Sequence, residues 1–297
     1  MMSDKAAAIA LPNSEQFVLD NDRGEQYLIQ LSWPLHWQDD GTSDRGQLPI
    51  IYIVDGNALF LTATEVAWRR AASSHFAGGG IVVAIGYPLT NKLYDARRRS
   101  FDLTPPTEST IPGYGGADLF LDFIENNVRP AVKARFPRLS CSREALYGHS
   151  YGGLFALHAL FTRPHSFDGY MASSPSIWWN SRCILHSAKS FLEKKKASER
   201  RPPTLMLSFG SFEQHPPQWN NEPLDHYEAR KQLAADLRMG DNVLDLCKML
   251  RDCAQLHTLS FNPYEGEEHT SVMACSISRS LTTFFEDWPL LGNGEIS

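Results

Sequence analysis

The chain has 297 residues, 42% hydrophobic and 21% charged, with a formal net charge of −6. That composition suits a globular protein with a sizeable core, and the acidic balance argues against a nucleic-acid partner, whose phosphates reward a basic excess. The opening stretch MMSDKAAAIALPNSEQ lacks the pattern of a secretory signal, and no run nears the roughly 20 apolar residues that span a bilayer. Five cysteines (Cys141, Cys183, Cys247, Cys253, Cys275) without C-x-x-C spacing predict reduced thiols, no disulfide framework and no zinc site. A cytoplasmic location, with no membrane partner, is the expectation that follows.

In chain order, residues 15–20 (EQFVLD) and 26–33 (QYLIQLSW) read as two strands joined by the turn residues NDRGE, an antiparallel hairpin. Residues 48–56 (LPIIYIVDG) form a continuous apolar run ending in Asp55-Gly56, as a strand buried on both faces would. A helix is expected over 60–74 and a second buried strand over 79–88. Residues 90–116 (TNKLYDARRRSFDLTPPTESTIPGYGG) read as one long irregular stretch, a length more typical of a functional lid or wall than of a plain connection. Residues 119–136 place Phe120, Phe123, Ile124, Val128 and Val132 on one helical stripe, with a kink or break expected at Pro130.

A strand over 143–150 runs into a helix over 153–161, followed by a strand at 167–176 and a helix over 183–200 with a solvated basic end. A strand at 202–213, helical material over 227–253, a last strand and loop over 256–269, and an amphipathic helix through Phe284 complete the chain. Strands alternating with helices in this way predict an α/β fold, a mostly parallel sheet covered on both faces. The expected organisation is one domain over 13–288, with flexible ends at 1–12 and 289–297.

The chemistry concentrates at ALYGHSYGGLFAL, residues 145–157. Gly148-His149-Ser150-Tyr151-Gly152 lies between an apolar strand and an apolar helix, the context of a strand–turn–helix nucleophile elbow. The turn would raise the Ser150 hydroxyl above the sheet edge and aim the Tyr151 N–H at a developing oxyanion. The competing reading is a helix-capping serine beside glycines selected for close packing.

A serine nucleophile needs a base, and the base needs an acid to orient it. His269, in YEGEEHTSV, lies after the last strand and before the last helix, where the base of an α/β-hydrolase belongs. His215, His226 and His257 are less suitably placed. For the acid, Glu213 lies just beyond the preceding strand, with Glu222, Asp225 and Asp241 as rivals. Gly56 and Asn57, after the strand at 48–56, are candidates for a second oxyanion donor, although Asp-Gly-Asn is also ordinary turn chemistry.

Taken together, YIVDGNALF, VVAIGYP, RRRSFDLTP, YGHSYGGLFALHAL, SSPSIWWN, SFGSFEQ and GEEHTSV make the chain resemble the esterase D-like branch of the α/β-hydrolases. More narrowly, it resembles the siderophore esterases that open trilactone or fusarinine-type chelators. That resemblance implies an α/β-hydrolase fold, Ser150 as nucleophile, His269 as base, Glu213 as acid, and Gly56 or Asn57 beside Tyr151 in the oxyanion hole. It also implies that Arg99, or its neighbour Arg98, faces the substrate, and that Trp178 and Trp179 wall the pocket. Without it, Arg99 would be expected to pair with Asp102 or Asp95, and at least one tryptophan to belong to the core.

The expected function is hydrolysis of siderophore esters to release iron inside the cell, needing no cofactor and no catalytic metal. A carboxylesterase, thioesterase or acyltransferase of secondary metabolism is the alternative enzyme. A catalytically inactive binding protein on the same fold is the alternative of another class.

Overall fold

A computed structural model describes residues 9–37, 47–72, 75, 78–193 and 201–286. Residues 9–12 form no helix or strand. The remaining expectations of flexible ends fall on 1–8 and 289–297, outside the described residues.

The hairpin forms as expected: β1 (Ser14–Asp20) and β2 (Gln26–Ser32) pair antiparallel. Then come β3 (Gln47–Val54), α1 (Gly56–Ala71), β4 (Ile81–Gly86) and α2 (Ala96–Asp102). Helix α2 lies within the stretch expected to be irregular throughout. Its start is set by Asp95, whose side chain accepts a hydrogen bond from the Arg98 N–H at 3.0 Å, a cap that apolar periodicity does not reveal.

Helices α3 (Ala117–Phe123) and α4 (Arg129–Arg135) run on through a π-helical turn, Ile124–Val128. Pro130 therefore does not break the helix. It falls in the first turn of α4, after a widened turn that tolerates its missing N–H. Next come β5 (Ser140–His149), α5 (Tyr151–Thr162), β6 (Gly169–Ser173), α6 (Trp179–Arg182) and α7 (Ile184–Glu193). The basic end expected to extend α7 lies at 194–200, outside the described residues.

The chain finishes with β7 (Thr204–Gly210), α8 (Ser211–Gln214), α9 (Leu224–Leu237), α10 (Met239–Leu250), β8 (Thr258–Tyr264) and α11 (Val272–Glu286). The helical material expected over 227–253 is two helices. Arg238 adopts a left-handed conformation, φ 51°, that ends α9 and starts α10.

All eight strands form one sheet in the order β1-β2-β4-β3-β5-β6-β7-β8. The β1–β2 and β2–β4 pairs are antiparallel, and every pair from β4 to β8 is parallel. Side-chain alternation explains the continuous apolar strands. Ile51 and Ile53 of β3 pack with α1 and α11 on one face, whereas Ile50, Tyr52 and Val54 join α3, α5, α7 and α10 on the other. Helix α5 is buried from Gly152 through Phe161, which is why its sequence is apolar all round. The parallel strands β3, β5, β7 and β8 deliver their C-terminal ends to one edge, and the candidate site is built there.

Candidate active site

Ser150 stands between the last residue of β5 and the first of α5, at φ 62° and ψ −118°. Such a backbone costs a residue with a side chain about 1–3 kcal/mol and persists only where its surroundings hold it. Here the Ser150 N–H donates to the Ser173 carbonyl at 3.0 Å, and the Ser176 N–H donates to the Ser150 carbonyl at 3.1 Å. The turn is tight enough that a Cβ on Gly148 would sit 2.1 Å from the Gly152 carbonyl oxygen. Glycine at 148 is a packing requirement.

His269 lies between β8 and α11. Its Nε2 is 3.1 Å from Ser150 Oγ and its Nδ1 is 2.6 Å from Glu213 Oε2. Glu213 is 8% exposed and sits in α8, immediately beyond β7. Its other oxygen, Oε1, accepts from the Gly210 N–H at 2.8 Å and from Ser174 Oγ at 2.5 Å. A buried carboxylate with three donors is satisfied as an anion, and it holds the histidine with Nε2 turned to the serine. The arrangement can pass a proton from Ser150 to His269 while Glu213 stabilises the resulting imidazolium.

The rival carboxylates lie elsewhere. Glu222 is paired with Arg230, Asp241 with Arg238, and Asp225 is exposed on α9. Among the other histidines, His215 and His226 are exposed, and His257 contacts Arg201 beside the start of β8, at the opposite sheet edge from Ser150.

Gly56 and Asn57 form the first turn of α1, at the end of β3 next to the elbow. The Asn57 side chain is committed to the backbone of Tyr87, donating to its carbonyl at 2.9 Å and accepting from its N–H at 2.8 Å. Only its backbone N–H and that of Gly56 therefore stand as candidates at the site. Asp55, at the N-cap position of this helix with φ 57°, is buried and accepts from Nε and Nη2 of Arg99. The expected Arg99 partners, Asp102 and Asp95, are thus corrected to Asp55.

Arg98 points to a different neighbourhood. Its guanidinium lies over the rings of Tyr27 and Tyr87 at 4.3 and 4.7 Å, and it donates to the Gln26 carbonyl. Both tyrosine hydroxyls donate to Asp102, at 3.0 and 3.1 Å. Burial pushes the Asp102 carboxyl up to about 6 against the pull of Arg98.

The tryptophans also divide. Trp179 is buried in the core against Tyr114, their rings 6.0 Å apart. Half-buried Trp178 lies 6.0 Å from the ring of Tyr151. The Arg99 guanidinium stands between Tyr151 and Tyr94, at 5.4 and 5.2 Å. Tyr94, Arg99, Tyr151 and Trp178 thus form a row beside the nucleophile, flat and largely apolar.

Sequence reading passed over Ser174, Asp55 and Tyr94. The only signals available were Asp55-Gly56 at a strand end and the serine-rich loop SSPS. Among the described residues, no cluster of three or more His, Cys, Asp or Glu side chains is placed to hold a metal ion. Among them, too, no helix is long and apolar enough to cross a membrane.

An eight-stranded, mostly parallel sheet with an elbow serine, a loop histidine and a carboxylate at one edge is the α/β-hydrolase arrangement. The chain belongs to the Esterase family, whose profile matches residues 22–239. It is 73% identical over 293 residues to the siderophore triacetylfusarinine C esterase of Aspergillus fumigatus, covering 99% of this chain and 100% of that one. It is 46% identical over 264 residues to the siderophore enterobactin esterase of Emericella nidulans, covering 85% and 87%. In structure it is similar to the siderophore hydrolase EstB of Aspergillus nidulans, with a TM-score of 0.93, 60% identity, and coverage of 96% and 99%.

Proposed function

We propose that this protein is a serine esterase that hydrolyses the ester bonds of a siderophore, with triacetylfusarinine C as the first substrate to test. The observation that carries the reading is the Glu213–His269–Ser150 relay, 2.6 and 3.1 Å long, at the strand edge. Near full-length similarity to a triacetylfusarinine C esterase supports the substrate.

Ser150 Oγ attacks the ester carbonyl while His269 Nε2 takes its proton, giving a tetrahedral oxyanion. The N–H of Tyr151, unpaired by position at the start of α5, and the N–H of Gly56 or Asn57 at the start of α1 receive that charge. Collapse expels the alkoxide, which His269 protonates, and Ser150 is left acylated. Water, deprotonated by His269, then frees the acid and regenerates the serine hydroxyl. Iron arrives with the substrate and is released as each cut ester weakens multidentate chelation.

Trp178, Tyr151 and Tyr94 provide the wall against which a bulky chelate rests. Arg99 keeps Nη1 outside its pair with Asp55, in position for a substrate oxygen. Arg98 and Trp179 act through the scaffold. The catalytic unit is the single domain over 13–288. We place the reaction in the cytoplasm, where the five free cysteines would remain reduced.

The test is incubation with iron-loaded and iron-free triacetylfusarinine C and enterobactin, with products followed by mass spectrometry and Ser150→Ala as control. Monomeric and linear ester products, lost in the control, are expected. Cleavage of aryl esters and acyl thioesters with both siderophores untouched would overturn the reading in favour of a general carboxylesterase or thioesterase.

A further inference from the structure

His269 sits on a loop and its side chain is 42% exposed, yet a general base must meet the serine in one orientation. Glu213 and Ser150 fix two points in the plane of the ring. Neither prevents the ring and its loop from tipping out of that plane.

The third support is His149, the residue just before the nucleophile. Its ring lies 4.5 Å from that of His269, the planes inclined by 46°. At 5% exposure it is set into the end of β5, so its own position is fixed by the sheet. His149 Nε2 is buried and has no hydrogen-bond partner among the described residues.

That geometry selects the neutral tautomer with its proton on Nδ1. A bare lone pair at Nε2 is a smaller penalty than a buried, unpaired N–H, and far smaller than a buried charge. Burial, followed by the nearby His269 and Arg99, holds His149 well below the usual histidine range. An uncharged ring therefore faces the one that becomes cationic during turnover, and the two do not repel.

We infer that His149 is the positioning residue for the base: it supports the face of the His269 ring. The inference rests on the reading of Ser150 and His269 as nucleophile and base. It assigns a task to the variable position inside G-x-S-x-G, a position the elbow itself leaves open.

The test compares His149→Phe, His149→Leu and His149→Ala on a small aryl ester, so the result does not depend on the natural substrate. Phe keeps a flat ring against that of His269, Leu keeps apolar volume without one, and Ala leaves the face open. His149→Ala and His149→Leu are expected to lower kcat by about 10²-fold, the order of loss when a base is misplaced by about 1 Å, with KM unchanged. His149→Phe should restore most of the loss at an equal melting temperature.

Equal kcat for the Phe and Leu variants, both folded, would overturn the inference, as would losses that track the folded fraction. If His149→Ala fails to fold, the Phe–Leu comparison decides alone. Activity persisting in Ser150→Ala would instead refute the reading of the site, and is scored separately.

Discussion

Arg99 and Asp55 form a bidentate ion pair at the lip of the elbow, Nε to Oδ1 at 2.9 Å and Nη2 to Oδ2 at 2.7 Å. The Asp55 side chain is 3% exposed and that of Arg99 15%. The pair ties helix α2 to the first turn of α1, which carries Gly56 and Asn57. Arg99 thus braces the first turn of α1 as well as standing in the proposed substrate wall.

Removing one member of a buried pair strands the other charge, at about 3–5 kcal/mol. Arg99→Ala should therefore lower the melting temperature by roughly 10 °C for a chain of this size. It should also reduce kcat on small esters together with that on siderophores. Arg99→Leu combined with Asp55→Asn should recover most of the stability. Thermal melts and parallel kinetics check this. Unchanged melting with a loss confined to siderophores would make Arg99 a substrate contact alone.

Glu213 offers a graded test. With Oε1 engaged by Gly210 and Ser174, Glu213→Gln turns its amide N–H₂ toward His269 Nδ1. That forces the wrong tautomer, with a proton on Nε2 facing Ser150, and kcat should fall by about 10⁴-fold. Ser174→Ala leaves the carboxylate in place and removes one charge-assisted hydrogen bond of about 1.5–3 kcal/mol, so a loss of about 10- to 100-fold is expected. Steady-state kinetics rank the two. A Ser174→Ala loss as large as that of Glu213→Gln would mean that α8 had moved.

How much of this was legible in the sequence depends on the range of the interaction. The parallel sheet was readable because each strand carries its own apolar run, and β3 shows why the runs are unbroken. Ser150, Glu213 and His269 stand in chain order just beyond β5, β7 and β8, so a topological rule could find them. The Arg99–Asp55 pair joins residues 44 apart in sequence. No local pattern encodes it, and the closer Asp95 and Asp102 were the natural expectation. Asp95 is occupied in capping α2 and Asp102 in accepting from two tyrosines. The left-handed Arg238 that splits α9 from α10 was equally hidden, because that conformation usually falls to glycine or asparagine and an arginine does not announce it.

Asp102 gives a pH dependence with a definite sign. Its carboxyl is raised in the folded state from 3.8 to about 6, mainly by burial. Between about pH 4 and 6 the folded protein therefore binds more protons at this residue than the unfolded chain, and its contribution to stability falls as pH rises through that window. The full difference is up to roughly 3 kcal/mol. Asp102→Asn removes this titration. The melting temperature of the variant minus that of the parent should increase from pH 4 to pH 7, other groups cancelling in the difference. A flat or falling difference would show that Arg98 keeps Asp102 ionised throughout.

The last prediction concerns the contact that brings acid and base together. Gly210 ends β7, and a Cβ added there would meet the Glu267 carbonyl oxygen at 2.2 Å and its carbon at 2.7 Å. The same carbonyl accepts the Phe212 N–H at 3.0 Å, so the β7 end and the loop before His269 are joined backbone to backbone. No side chain can yield to relieve the clash. Gly210→Ala must push the loop away and lengthen the Glu213–His269 contact, with an expected fall in kcat of about 10²-fold. The site should become less reactive while the core, far from this edge, stays intact. Slower labelling of Ser150 by a fluorophosphonate probe, with melting little changed, is the expected pair of results. Wild-type labelling would show that the loop carries His269 independently of β7.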